Sequence, residues 1–338
     1  MNEHLDEGSG PVCALVTGGL GFLGSFVVRR LLESKRCDRV VCLDNFGRYV
    51  DSVAEEFVDY RRKRVDGISE SIVIERGDAR HHGTVQRIVD RYRPRYIFHL
   101  AALPLATISN SSIDEAMEGA VASTANILDI VGRCPSYRPD RFVYVSSSMV
   151  YGDFLTEPAC EDHPTNPRNV YGTAKLMGEV LTRGLGDVYG IPYAIVRPSA
   201  IYGPTDMNRR VVHVFLERAR LGRRITIQGA DQRLDFTYVK DAANGVVLAA
   251  TSDLAIGQTF NITCGEAYTL LELADAIKVH FPNLAYEVVE RDGSLPQRGA
   301  LSIVKAMELL KYSPRYSLQA GLREYVAFLQ ESLPCESR

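Results

Sequence analysis

Cys13-Ala-Leu-Val-Thr17 runs directly into Gly18-Gly19-Leu20-Gly21-Phe22-Leu23-Gly24, and the apolar run then continues to Ser34 with helical spacing. The first five residues read as a short buried strand, and Phe22 to Ser34 reads as a helix. Between them, Gly18 can make a tight turn, Gly21 lets the backbone approach a pyrophosphate, and Gly24 lets the helix pack close to the strand. The free amides at the helix start, around Phe22 and Leu23, and its partial positive charge suit phosphate oxygens. Three spaced glycines alone are weak evidence. Their place between a strand and a helix, near the start of the chain, makes them a candidate dinucleotide site.

The same alternation continues outward from that turn. Strands are predicted at Arg39–Leu43, Ser71–Glu75, Tyr96–Leu100, Phe142–Ser146 and Tyr193–Val196, and helices at Val85–Tyr92, Ile113–Val131 and Gly172–Tyr189. Near-continuous apolar strands alternating with helices predict an α/β fold, a Rossmann-like doubly wound parallel sheet covered on both faces. After about residue 200 the elements shorten, with helices predicted at Thr269–Phe281 and Leu318–Leu333. This division predicts a dinucleotide-binding domain over 12–200, with a segment near 236–262 returning to it. It also predicts a smaller C-terminal α/β substrate lobe over 201–330. Residues 1 to 11 read as a frayed start. The charged stretch Gly47 to Ser71 reads as a solvated helix and loop, with a ligand-facing lid as the alternative.

Composition narrows the function classes. The chain has 338 residues, 46% hydrophobic and 24% charged, with a net charge of −3. That balance describes a folded globular protein and gives no support to a phosphate-tracking nucleic-acid surface. The most apolar stretch, Val12 to Leu32, is broken by glycines and preceded by Asp6 and Glu7, so it reads neither as a membrane span nor as a signal peptide. Seven scattered cysteines without a Cys-x-x-Cys pair predict reduced thiols, no structural metal and a cytoplasmic location.

Asp44 ends the second strand, twenty residues after Gly24. A carboxylate there can accept hydrogen bonds from the ribose hydroxyls of NAD and would repel the 2′-phosphate of NADP. Asn45 follows it. Asp78, followed by Ala79, is a candidate for the adenine amino group, with an ordinary loop aspartate beside Gly77 as the alternative. Leu100, Ala101 and Ala102 close the fourth strand and are small enough for a cofactor to lie against their backbone. His99 reads as a structural histidine.

Tyr171-Gly-Thr-Ala-Lys175 places a phenol and an ammonium one helical turn apart, on one face. A free tyrosine has a pKa near ~10 and is a poor base at neutral pH. The adjacent lysine, and the positive nicotinamide ring of NAD, would favour the phenolate and bring it toward the working pH. Before it stands Val145-Ser146-Ser147-Ser148-Met149-Val150-Tyr151-Gly152, a strand end where a hydroxyl could share the reacting proton. Three consecutive serines leave the choice among them open.

Taken together, these pieces resemble the extended short-chain dehydrogenase/reductase family, and within it the nucleotide-sugar epimerases and dehydratases. The likeness runs from about Ala14 to about Phe328. Beyond the segments already quoted it includes Arg197-Pro198, Ile201-Tyr-Gly-Pro204, and Arg233-Leu-Asp-Phe-Thr-Tyr238 with Asp241. The resemblance implies that Tyr171 is the base, that Lys175 is its electrostatic helper and a ribose ligand, and that Ser147 is the catalytic hydroxyl. It implies NAD as cofactor and a nucleotide-diphosphate sugar as substrate. Arg233 and Arg298 would hold the diphosphate, as always-charged guanidiniums can. It also implies a homodimer built on the helices around Ile113–Val131 and Gly172–Tyr189.

Three departures from the family pattern refine this. Dehydratases carry an Asp-Glu pair where this chain has Ser148 and Met149, which disfavours dehydration and leaves Ser148 to face substrate. Many members have an asparagine where this chain has Ala200. The late arginine stands two residues before Asp235 rather than next to it. Arg209 and Arg210 could supply compensating charge, for example to a sugar carboxylate, with a solvated helix start as the alternative. The reading is therefore an epimerase that transiently oxidises a sugar hydroxyl, at C4. The alternatives are a decarboxylase, ketosugar reductase or dehydratase on the same machinery, or a non-catalytic NAD-binding protein.

Overall fold

A computed structural model describes residues 12–47, 58–103, 112–293 and 295–332. Its centre is a seven-stranded parallel sheet in the order β3-β2-β1-β4-β5-β6-β9. These strands are β1 (Cys13–Thr17), β2 (Arg39–Asp44), β3 (Ile72–Arg76), β4 (Tyr96–His99), β5 (Arg141–Val145), β6 (Tyr193–Pro198) and β9 (Gln258–Ile262). Every residue of β1, β5 and β6 is buried, as a sheet covered on both faces requires. The six strands expected from the sequence are present within a residue or two of their expected bounds. The seventh, β9, comes from the later part of the chain and pairs with β6 from Ala194↔Gln258 to Pro198↔Ile262.

One face of the sheet is covered by α1 (Phe22–Glu33) and a helix at Val239–Thr251. Val27, Val28 and Leu31 pack there with Ala243, Val246 and Ala250. The other face carries α3 (His82–Tyr92) and the helical run from Ile113 to Arg133, which contains a π turn at Glu118–Ala122. The helix Val170–Tyr189 lies beside that run. Its start is capped by Asn169, whose Oδ1 accepts from the Gly172 amide at 2.8 Å, and it ends at Gly190 with φ +65°. Both ends are therefore set by local chemistry, a side-chain cap and a left-handed glycine.

A second hydrophobic cluster forms from later residues, among them Tyr202, Phe215, Ile225, Phe236, Leu273 and Tyr325. It is framed by β7 (Ile225–Gln228) parallel to β11 (Tyr286–Val289), and by the short antiparallel pair β8 (Arg233–Leu234) and β10 (Tyr268–Thr269). The predicted late helices appear at Leu270–Lys278, with a Thr269–Glu272 capping box, and at Leu318–Ser332. The expected frayed start and the first part of the charged stretch, residues 48–57, lie outside the described residues. The remainder of that stretch includes the short helix α2 (Arg61–Val65).

Candidate active site

The strand order reverses direction between β1 and β4, and a cleft opens there beyond the carboxyl ends of the strands, where α/β sheets of this kind bind ligands. Its lining brings together Gly18, Gly21, Phe22, Leu23, Gly24, Asp44, Asn45, Asp78, Ala79, Leu100, Ala101, Ala102, Tyr171 and Lys175, residues far apart in the chain.

The glycine turn is tight for stated reasons. Gly18 has φ +68°, and a Cβ on it would stand 3.2 Å from the Ala101 nitrogen. A Cβ on Gly24 would overlap the Gly18 carbonyl oxygen, so the first turn of α1 can approach β1 only with glycine there. That places the α1 amides at the cleft wall, where a pyrophosphate fits. Asp44 at the end of β2 accepts from the Leu20 amide at 3.0 Å and the Phe46 amide at 2.8 Å. Burial raises its carboxyl, against those two bonds. On Asp78, burial is outweighed by the hydrogen bonds and charge of Arg80, which hold it below the usual carboxylate range. A turn with no room for side chains, a helix start and a strand-end carboxylate together fit a dinucleotide.

At the other end, Tyr171 and Lys175 both face the cleft. The three serines part ways. Ser146 turns inward and donates to Glu179 Oε1 at 2.6 Å. Ser147 stands next to the Tyr171 phenol and favours its ionisation, and its hydroxyl accepts from the Met149 amide at 3.2 Å. Ser148 begins a buried 3-10 turn. The backbone alternation at the end of β5 makes this selection.

Burial raises the Tyr171 phenol above its ordinary value, opposed by the charge of Arg210 and by Ser147. Burial brings Lys175 itself down to about 8, with Glu179 opposing. Its Nζ donates to the Val145 carbonyl at 2.8 Å and lies 6.0 Å from the Tyr171 ring. His99 has both ring nitrogens engaged, with Thr17 Oγ1 at 2.7 Å and Ser123 Oγ at 3.0 Å, and burial lowers it to about 3. It is a neutral structural histidine.

The family model described as the NAD dependent epimerase/dehydratase family matches residues 14–263. The chain belongs to the NAD dependent epimerase/dehydratase family. It falls in the extended short-chain dehydrogenase/reductase group that acts on nucleotide sugars, and its cofactor is NAD. UDP-glucuronate 4-epimerase 1 of Arabidopsis thaliana is 28% identical over 94% of this chain and 76% of the relative. UDP-glucuronic acid decarboxylase 3 of the same plant is 28% identical over 91% of this chain and 86% of the relative. The crystal structure of a UDP-glucose 4-epimerase from Thermotoga maritima with UDP-glucose superposes with a TM-score of 0.83. It shares 26% identity and covers 95% of this chain and 100% of its own.

Within this family member, the expected substrate arginines are placed differently from one another. Arg209 pairs with Glu217 at 3.1 Å, and it is Arg210 that lines the cleft. Arg233 is exposed and pairs with Glu157 at 2.7 Å. Arg298 is drawn down to about 10 by burial, and its Nε has no hydrogen-bond partner among the described residues. Ser147, Ser148, Arg209, Arg233 and Arg298 are not among the described lining residues of the cleft, and Ser146 is the serine that lines it. Arg64 was missed by sequence reasoning. It is buried, lines the cleft and donates to the Leu20 carbonyl at 2.8 Å, yet it sits in an Arg-Arg-Lys-Arg run that reads as solvated. No signal in the sequence singles it out.

Proposed function

We propose that this chain is a nucleotide-sugar epimerase that inverts a sugar carbon, at C4, by transient oxidation of its hydroxyl. The observation that carries this reading is that Tyr171 and Lys175 line one cleft with the glycine turn and Asp44, with Ser148 and Met149 standing where the family's dehydratases hold an acid pair. When bound, NAD would supply reversible hydride acceptance at the sugar carbon, and its positive ring would favour the phenolate of Tyr171. Tyr171 takes the proton of the sugar hydroxyl and later gives it back. Ser147, next to the phenol, shares the charge that develops on the reacting oxygen. Lys175 holds the ribose and closes the site from the helix side. Asp44 selects NAD by accepting from the ribose hydroxyls. The partnerless Nε of Arg298 suits an anionic diphosphate, and Arg233 and Ser148 are further candidates for substrate contact.

A second reading, decarboxylation of a nucleotide uronate, draws on one feature: Arg210 presents a cation to the cleft beside Tyr171. Incubating the purified protein with a panel of UDP- and dTDP-sugars, followed by NMR and mass spectrometry, separates the two. Epimerisation gives a product of unchanged mass with one inverted carbon and no net NADH. Loss of carbon dioxide or water, or steady NADH accumulation, overturns it.

The helix Val170–Tyr189 exposes Met177, Val180 and Val188 at helical spacing, with Gly184 between them. This stripe supports a homodimer in which that helix and the Ile113–Arg133 run meet their copies. Among the described residues no helix is long and apolar enough to cross a membrane. The scattered reduced cysteines favour the cytoplasm.

A further inference from the structure

The loop joining β6 to the helix Val211–Arg220 holds three non-glycine residues at positive φ, Ala200 at +31°, Thr205 at +68° and Arg209 at +52°. Side chains seldom adopt this conformation, and it persists where the surroundings over-determine it, often at functional sites. Two groups do so here. Arg64 is only 5% exposed. Its Nη1 donates to the Leu20 carbonyl of the glycine turn at 2.8 Å, its Nη2 to the Thr205 carbonyl, and its Nε to Thr205 Oγ1 at 3.4 Å. Asp206, also buried, accepts from the Asn208 amide at 3.0 Å and from Arg210 Nη1 at 2.8 Å. The loop ends in Arg210, whose guanidinium lies 5.3 Å over the Phe22 ring at the start of α1 and lines the cleft with Tyr171. One buried guanidinium thus fastens the cofactor turn to a strained loop that ends in the cleft's cation.

We propose that Arg64 is a positioning residue that clamps the 205–210 loop onto the glycine turn and so sets Arg210 facing Tyr171 across the cleft. The inference rests on the reading of Tyr171 as the proton-transferring group. Around Tyr171 stand Tyr144 from β5, Ser147 from the turn after it, Lys175 from its own helix, and Arg210 from the loop. The other charged groups lining the cleft are Asp44, Arg61, Arg64, Asp78, Arg80 and Glu115. A cation presented by the loop stabilises the phenolate only while the loop stays seated. The clamp therefore couples the conformation of the cofactor turn to the ionisation of the base.

The test is a pH titration of the phenolate ultraviolet absorbance of the NAD-loaded full chain, with the Tyr171→Phe signal subtracted. Arg210→Met should raise the Tyr171 midpoint by about one pH unit, the scale of one partly buried charge. Arg64→Met should raise it in the same direction. The double variant should match Arg210→Met alone, because Arg64 acts through Arg210. Arg64→Lys keeps the charge but loses the fork, so it should raise the midpoint in part; it carries the test if the methionine variant does not fold. An unchanged midpoint in both Arg64 variants overturns the proposal, and so does full additivity in the double variant. The titration needs no turnover. Turnover of Tyr171→Phe on the sugar panel separately decides the role of Tyr171.

Discussion

Glu179 lies one helical turn beyond Lys175 and is fully buried. Its carboxylate accepts from Ser146 Oγ at 2.6 Å, from Arg197 Nε at 2.8 Å and Nη2 at 2.7 Å, and from Arg183 Nη2 at 2.8 Å. Burial works against the charge, but the bonds from Arg197 and Ser146 outweigh it and hold the carboxyl below its ordinary value. Glu179→Ala would leave the Arg197 side chain, 4% exposed, without its counter-charge. Breaking a buried pair in this way costs ~3–5 kcal/mol. Stranding the Ser146 hydroxyl, 2% exposed, adds about 1 kcal/mol. The expected loss is therefore on the order of 4–6 kcal/mol, a fall in Tm of roughly 6–8 °C for a chain of this size.

Replacing both partners, Glu179→Leu with Arg197→Met, should recover most of the loss, since apolar substitutes for a buried pair are often neutral. Recovery stays incomplete because Arg197 Nη1 also donates to the Tyr151 hydroxyl at 2.9 Å and the Glu161 carbonyl at 3.1 Å. Urea denaturation at constant m-value measures each step. Because the folded value of Glu179 lies below the unfolded one, its stabilisation is present above the ordinary carboxylate range and is lost as pH falls through the folded value. Glu179→Ala should flatten that part of the acid limb. A loss under about 1 kcal/mol, the size of an exposed ion pair, would refute the reasoning. So would a double variant destabilised by the sum of the single losses.

Tyr171→Phe should retain NAD and fold normally while losing turnover by roughly 10²–10⁴-fold, the usual worth of a positioned acid–base group, as read by NMR of product formation. Lys175→Met should raise stability at neutral pH. Burial takes this lysine down to about 8, so between that pH and the unfolded value near ~10.4 the unfolded chain binds more protons and wild-type stability rises with pH. Thermal melts across that window should lose the rise in the variant. Gly24→Ala must push the start of α1 away from the Gly18 carbonyl, costing ~1–3 kcal/mol by overpacking. NAD should be released from it on gel filtration while the wild type keeps its cofactor.

The parts of this protein that a reader of the sequence can see are those whose cause is local. The strand before Gly18 and the helix after Gly24 announce themselves through apolar runs, and the conformations of Gly18 and Gly190 follow from having no Cβ. Tyr171 and Lys175 share a helix face by spacing alone. What spacing cannot convey is burial, and burial decides their chemistry: it raises the phenol and lowers the amine, the opposite of what a solvent-exposed pair would do. The serine triplet is not legible from spacing: the sequence leaves three choices, and it is the buried Glu179 carboxylate that takes Ser146.

The arginines show the other limit. Arg61, Arg62 and Arg64 are near neighbours of one chemical type, yet only Arg64 is buried, because the carbonyls that accept its hydrogen bonds lie on Leu20 and Thr205, far away in the chain. Arg209 and Arg210 are adjacent and chemically identical. The left-handed backbone at Arg209, φ +52°, sends its side chain to Glu217, while Asp206 draws Arg210 over Phe22 and into the cleft. The Asp206 anchor thus decides which of the two guanidiniums lines the cleft. Relaxing that turn with Arg209→Gly removes the Glu217 pair but leaves Arg210 its Asp206 anchor, so the cleft should keep its cation.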